Sequence, residues 1–176
     1  MKWISFPNGD TKMIDQYLYV ELMNKQSFPY ALCIQKSALD KIEEEYSHAR
    51  YWETGGILFG KISRSRKTVY IEKAEPIKGK KRFSLAYIRD GKRAQKIIDS
   101  LWQETQGELN YLGEWHTHPN IPPTPSQRDK HTILELTAEK KSNYFPYTIL
   151  LIMGKDKRLT VTISTEKGVI ECTPIP

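Results

Sequence analysis

Apolar positions along this chain switch between two spacings, and the switches mark its elements. Tyr30 to Ile34 is a short apolar run that predicts a strand. From Ser37 to Ala49, Leu39, Ile42 and Tyr46 recur at helical spacing behind a Ser37-x-x-Asp40 start, so an amphipathic helix is expected. Glycines followed by an apolar run predict a strand over Gly56–Ile62, then a turn at Ser63–Arg66 and a hairpin partner over Thr68–Ala74. Lys78–Tyr87 reads as a basic loop. Helical period returns over Asp90–Gln106 through Ala94, Ile97, Ile98, Leu101 and Trp102, with Asp90 as the candidate cap. Tyr111–His118 reads as a central strand, and Gln127–Lys141 as a helix. Tyr147–Met153 is apolar at nearly every position, as in a strand buried on both faces, and strands are expected at Leu159–Ser164 and Val169–Thr173. The first 27 residues carry the weakest pattern, although Pro7-Asn8-Gly9-Asp10 suggests a hairpin turn. The order predicts an α/β fold, a mixed sheet with flanking helices.

Composition narrows the class. With 176 residues and 39% hydrophobic content, the chain suits one domain over residues 1–176 with a core that needs no staples. Cys33 and Cys172 lie far apart with no Cys-x-x-Cys spacing, which points to core thiols rather than a disulfide framework or a zinc ribbon. The N-terminus lacks the apolar stretch of a signal peptide, and the run Ile149–Met153 is too short to span a bilayer, so a cytoplasmic protein without membrane contact is expected. The net charge of +6 is uneven: Lys61 to Lys96 holds thirteen basic against three acidic residues. That stretch suits an acidic protein face. No RNA-binding signature accompanies it, so nucleic acid is not expected as a partner.

The chemistry concentrates between Glu114 and Asp129. Strand positions i and i+2 share a face, so His116 and His118 can offer two imidazole nitrogens to one ion. The loop Asn120-Ile121-Pro122-Pro123-Thr124-Pro125 cannot continue a strand and turns the chain stiffly back. Ser126 then stands as a helix N-cap, with Asp129 at the capping-box position, where a carboxylate can also face a metal. Two histidines, one aspartate and a water make a four-coordinate zinc centre with an open position, one Zn²⁺ per chain.

His116-x-His118-Pro119, a proline-rich loop and Ser126-x-x-Asp129 together resemble the signature of the JAMM (JAB/MPN) metallopeptidases. Upstream, Glu53-Thr54-Gly55-Gly56-Ile57-Leu58-Phe59-Gly60 is similar to the family's other conserved segment, with Glu53 in the place of its general acid/base. The resemblance covers about residues 30–164. It implies a curved mixed sheet flanked by helices, Zn²⁺ on His116, His118 and Asp129, and Ser126 as a donor to the oxyanion. It further implies cleavage after the C-terminal glycine of a ubiquitin-like protein or its conjugate. The wording Gly113-Glu114-Trp115-His116-Thr117-His118-Pro119 looks most like stand-alone bacterial JAB peptidases encoded beside E1-like and E2-like proteins. Among these are CBASS antiphage operons, where the conjugate joins a cyclic-oligonucleotide synthase to its targets. In that case the Lys78–Arg82 loop and Phe83 are expected near an entering tail. Processing of a ubiquitin-like or sulfur-carrier precursor, and a ligand-binding scaffold without turnover, are the alternatives. A zinc nucleoside deaminase is disfavoured, because its Pro-Cys-x-x-Cys is missing.

Overall fold

The protein is described by a computed structural model. It describes residues 3–6, 9–14, 16–20, 28, 30–65, 68–77, 82–83, 86–87, 91–140 and 145–171, with backbone alone at 3–6, 9–14, 82–83, 86–87 and 171. In chain order the elements are β1 (Trp3–Phe6), β2 (Gly9–Ile14), β3 (Tyr17–Val20), β4 (Ala31–Gln35), α1 (Lys36–Ala49), β5 (Gly55–Ile62) and β6 (Thr68–Pro76). There follow β7 (Arg82–Phe83), β8 (Ala86–Tyr87), α2 (Gly91–Glu104), β9 (Asn110–Thr117), α3 (Gln127–Glu139), β10 (Thr148–Met153), a 3-10 turn at Lys155–Lys157, β11 (Leu159–Thr165) and β12 (Gly168–Glu171).

Ten strands form one mixed sheet in the order β1-β2-β3-β4-β6-β5-β9-β10-β11-β12. Two pairs, β4 with β6 and β9 with β10, run parallel, and the others are antiparallel. The α/β class and the mixed sheet with its helices are thus as the sequence leads one to expect.

Alternation along the central strands assigns the two faces. Leu58, Trp115, Ile149, Leu151 and Met153 point to one side, where Ala38 and Ile42 of α1 join them in the main core. Ile57 and Phe59 point to the other side, packed by Ala94 and Leu101 of α2. On that same side Ile133 of α3 covers Leu150 and Ile152. Since His116 is in register with Ile152, and Trp115 with Leu151, the first metal-ligand candidate lies on the α3 face and Trp115 in the opposite core.

Several boundaries differ from the expectations. α1 starts at Lys36, with Gln35 at its N-cap and no side-chain capping bond, so Ser37 is not a cap. Asp40 is bonded to Lys36 one turn back instead, at 2.6 Å. The pair Phe6↔Gly9 closes a β1–β2 hairpin at the expected turn, whose Gly9 and Asp10 already belong to β2 and whose Pro7 and Asn8 lie outside the described residues. β3, which the weak pattern of the first 27 residues did not announce, completes that antiparallel edge. Part of the expected basic loop forms a small hairpin, β7 with β8, while 78–81 and Asp90 lie outside the described residues. Cys33 is buried and unpaired, its thiol pushed up to about 11 by burial, and Cys172 lies outside the described residues. Among the described residues no helix is long and apolar enough to cross a membrane.

Candidate metal centre

β9 ends at Thr117, and His118 stands one residue beyond it. The His118 amide nevertheless donates to the Met153 carbonyl of β10 at 2.7 Å, which extends the extended backbone by one step and keeps His118 on the face of His116. On the other flank Gly55 of β5 is in register with His116. A Cβ at Gly55 would sit 2.5 Å from the Trp115 carbonyl oxygen and 3.0 Å from the His116 Cβ, so only glycine lets β5 lie this close to the ligand strand.

The proline loop orients the second histidine. His118 Nδ1 donates to the Pro122 carbonyl at 3.2 Å, which fixes the tautomer and leaves Nε2 with its lone pair turned inward. The loop itself is seated on the turn after β10. Lys155 N–H donates to the Ile121 carbonyl at 2.7 Å, and a Cβ on Gly154 would be 2.4 Å from the Pro123 nitrogen. The carbonyl that aims His118 is therefore held by the sheet and not only by the rigidity of prolines.

α3 brings the carboxylate. Ser126 caps this helix: its Oγ accepts from the Asp129 amide at 3.1 Å, while its own amide donates to Asp129 Oδ2 at 2.7 Å. The Ser126 hydroxyl also donates to Oδ2, at 2.6 Å. One carboxylate oxygen is thus consumed in the cap, and Oδ1 is the one directed at His116 Nε2, 3.7 Å away.

His116 Nε2 and His118 Nε2 are 3.1 Å apart, and one donor atom from each of His116, His118 and Asp129 lies within 4.8 Å of the others. A tetrahedral zinc with bonds of about 2.0–2.1 Å has ligand atoms roughly 3.3–3.4 Å apart, so the donor set suits the ion and the 3.1 Å and 3.7 Å separations lie close to that spacing, while the widest pair would draw together on binding. Burial drives the His116 pKa down to about 4, His118 adds to the fall, and the Asp129 charge opposes it. The imidazole is neutral at pH 7, the form a metal requires.

Glu53 lies beside this group and outside it. Its side chain is only 9% exposed, and Oε1 stands 4.0 Å from His118 Nε2. A pair of bonds one residue on holds the backbone next to it. Thr54 N–H donates to Thr117 Oγ1, and Thr117 N–H to the Thr54 carbonyl. Thr117, buried on the face away from the histidines as strand alternation places it, is thereby a site-building residue, a role its spacing alone does not reveal. His131 is exposed and paired with Glu135 on its own helix at 3.2 Å, and His48 is exposed on α1, so neither joins the cluster.

Fold and cluster together point to one family, and the sequence match decides it: residues 35–165 match the prokaryotic homologs of the JAB domain. The chain belongs to this family. This JAB protein is 32% identical over 105 residues to the CD-NTase/cGAS isopeptidase of Pseudomonas aeruginosa, covering 59% of this chain and 64% of that protein. It is likewise 32% identical over 103 residues to the protein of the same name from Vibrio cholerae, covering 58% and 62%. An Enterobacter hormaechei protein of that name is 26% identical over 140 residues, covering 77% of this chain and 73% of its own. The JAB chain spans just under two thirds of the length of the Pseudomonas and Vibrio relatives it matches. In fold it is similar to a Desulfitobacterium hafniense protein known from a solution structure, with a TM-score of 0.56 and 20% identity over 78% of this chain and 87% of that one.

Proposed function

We propose that this JAB protein is a zinc-dependent isopeptidase that cleaves after the C-terminal glycine of a ubiquitin-like protein, in bacterial deconjugation of the CBASS antiphage kind. The reading rests on one observation above all: two buried imidazole nitrogens 3.1 Å apart face the carboxylate of Asp129, with a second carboxylate, Glu53, 4.0 Å from His118 and outside the ligand set. Relatives named CD-NTase/cGAS isopeptidase favour a conjugate between a cyclic-oligonucleotide synthase and its targets as the substrate. E1-like and E2-like proteins would be the partners that form it.

In this reading His116, His118 and Asp129 hold one Zn²⁺, which when bound polarises a water molecule and the scissile carbonyl. Glu53 takes a proton from the water as its oxygen bonds to the carbonyl carbon. It gives that proton to the lysine nitrogen as the carbon–nitrogen bond breaks, so one water is consumed and an acid and an amine leave. The hydrogen bond from Ser126 to Oδ2 keeps Oδ1 of Asp129 turned to the metal. Ser126 can donate to the oxyanion only by giving up that bond.

The test is metal analysis of the purified protein combined with turnover of a ubiquitin-like tail joined through its terminal glycine to a reporter amine. Zinc near one per chain and cleavage that a chelator stops support the reading. Protein without zinc overturns it. Cleavage of a linear precursor tail but not of a lysine-linked one favours the processing alternative.

A further inference from the structure

The turn that seats the proline loop breaks a local sequence rule. β10 and β11 close at the pair Met153↔Leu159, and Gly154–Arg158 connects them. Within the connection Arg158 N–H donates to the Lys155 carbonyl at 3.3 Å, and the two central residues, Asp156 and Lys157, have φ of 59° and 57°. Turns of this mirror-image class are dominated by glycine, asparagine and aspartate, which tolerate positive φ. Asp156 follows that preference. Lys157 does not, and its backbone conformation gives no reason for a lysine there.

Its side chain supplies the reason. Lys157 Nζ donates to Glu43 Oε2 of α1 at 2.7 Å, a charge-assisted bond between residues 114 apart in the chain. The turn is thereby tied to α1, the helix whose chain runs on past Ala49 to Glu53. On its other side the same segment grips His118. The Met153 carbonyl accepts from the His118 amide at 2.7 Å, and Lys155 N–H holds the Ile121 carbonyl at 2.7 Å. The next carbonyl along the loop, that of Pro122, accepts from His118 Nδ1. Residues 153–155 therefore hold His118 directly by its backbone and, through the proline loop, by its ring.

We propose that Lys157 and Glu43 are positioning residues for the metal centre: their ion pair braces the β10–β11 turn against α1 and so keeps the His118 imidazole aimed beside Glu53. Its effect on turnover rests on the proposed peptidase activity, whereas its effect on the turn and on metal affinity does not. The two side chains are 51% and 41% exposed, and such a pair adds little to the stability of the whole fold. A ligand that must be aimed needs little. The interaction of an exposed pair is enough to change the occupancy of one local conformation by about three- to fivefold.

Three variants of the full chain test this. Lys157→Asn keeps a residue that accepts positive φ and removes the ammonium, Glu43→Gln removes the charge at the other end, and Glu43→Lys/Lys157→Glu reverses the pair. The first readout is amide hydrogen exchange in the metal-free chain. The Lys155 and His118 amides should exchange about three- to fivefold faster in each single variant and return towards the native rate in the reversed pair, while the Leu150 and Leu151 amides stay unchanged. The second is metal affinity, by competition for zinc against a chelator and by the absorption spectrum of the cobalt-loaded chain. Zinc should bind about three- to fivefold more weakly in the single variants, with a shifted cobalt spectrum, and the reversed pair should recover both. Unchanged exchange at Lys155 and His118 overturns the proposal, as does acceleration spread evenly over β10, which would make the pair a support of global stability only. Failure of the reversed pair to recover, or faster exchange with unaltered metal affinity, overturns it as well. If metal affinity follows the pair while no glycine-linked amide is cleaved by the native chain, the peptidase reading fails and the brace stands.

Discussion

Thr54 and Thr117 hold each other by two hydrogen bonds, the Thr54 amide to Thr117 Oγ1 at 3.0 Å and the Thr117 amide to the Thr54 carbonyl at 2.8 Å. They lie one residue after Glu53 and between the two histidines, so this clasp ties the candidate base to the candidate ligands. Thr117→Val keeps the shape of a fully buried side chain and deletes the acceptor, which leaves the Thr54 amide without its partner. Folding stability should fall by about 1–3 kcal/mol. Zinc content should hold, while turnover drops by roughly a hundredfold as Glu53 loses its position. Denaturant midpoints, metal analysis and initial rates check this, and Thr117→Ser should recover most of the loss. Zinc lost from Thr117→Val would mean that the clasp supports the histidines and not Glu53.

Glu53 itself separates the base from the ligands. Because its carboxylate stands 4.0 Å from His118 Nε2 and outside the cluster of three, Glu53→Gln should retain about one zinc per chain and lose turnover. His116→Ala and Asp129→Ala should lose both. Metal analysis beside a rate assay distinguishes these patterns, and a Glu53→Gln protein purified without zinc would put Glu53 among the ligands.

The parts of this site that could be read in the sequence are those written as side chains at fixed spacing. The period of two places His116 and His118 on one face, and Ser126-x-x-Asp129 spells the cap that α3 adopts. Backbone partners leave no such mark. The Pro122 carbonyl that sets the His118 tautomer and the Met153 carbonyl that carries His118 past the end of β9 depend on neighbours brought in by the fold. Capping at Ser37 fails because β4 runs directly into α1: Gln35 is the last strand residue and also the N-cap, so the helix starts a residue before the serine. β11 shows the limit of alternation. Thr160, Thr162 and Ser164 would suggest a solvent face, yet all are buried, since α3 packs over that side.

Ser126 is where geometry and resemblance pull apart. Its hydroxyl hydrogen is engaged with Asp129 Oδ2 at 2.6 Å and its oxygen accepts from the Asp129 amide, so the side chain positions the carboxylate as the structure stands. Ser126→Ala should then cost about 1 kcal/mol of stability through the lost cap. It should also weaken zinc binding by about 10–100-fold, as the loss of a residue that orients a ligand does. An oxyanion donor would behave differently, with zinc affinity kept and the rate alone reduced by about 10²–10³-fold. Competition for zinc against a chelator of known affinity, run beside kcat, decides between the two.

Lys140 offers a pH test of the fold that does not touch the metal. At the C-terminal end of α3 its ammonium donates to the Leu112 carbonyl at 3.3 Å and to the Tyr147 carbonyl, with the Tyr111 and Phe145 rings at 4.8 and 5.2 Å. It bolts the helix that carries Asp129 to the start of the β9–β10 pair. Burial lowers its pKa to about 7 from the ordinary 10.5. Above pH 7 the folded chain gives up this proton while the unfolded chain keeps it, so the unfolded state binds more protons and stability rises with pH. The slope approaches about 1.4 kcal/mol per pH unit, for a gain of about 1–2 kcal/mol between pH 7 and 8.5. Beyond pH 9 the Cys33 thiol acts in the opposite sense, because its pKa is raised to about 11 and the folded chain keeps that proton longer. Urea midpoints at pH 7.0 and 8.5 should therefore rise in the native chain and rise less in Lys140→Met. An equal rise in both would show that Lys140 is not the titrating group.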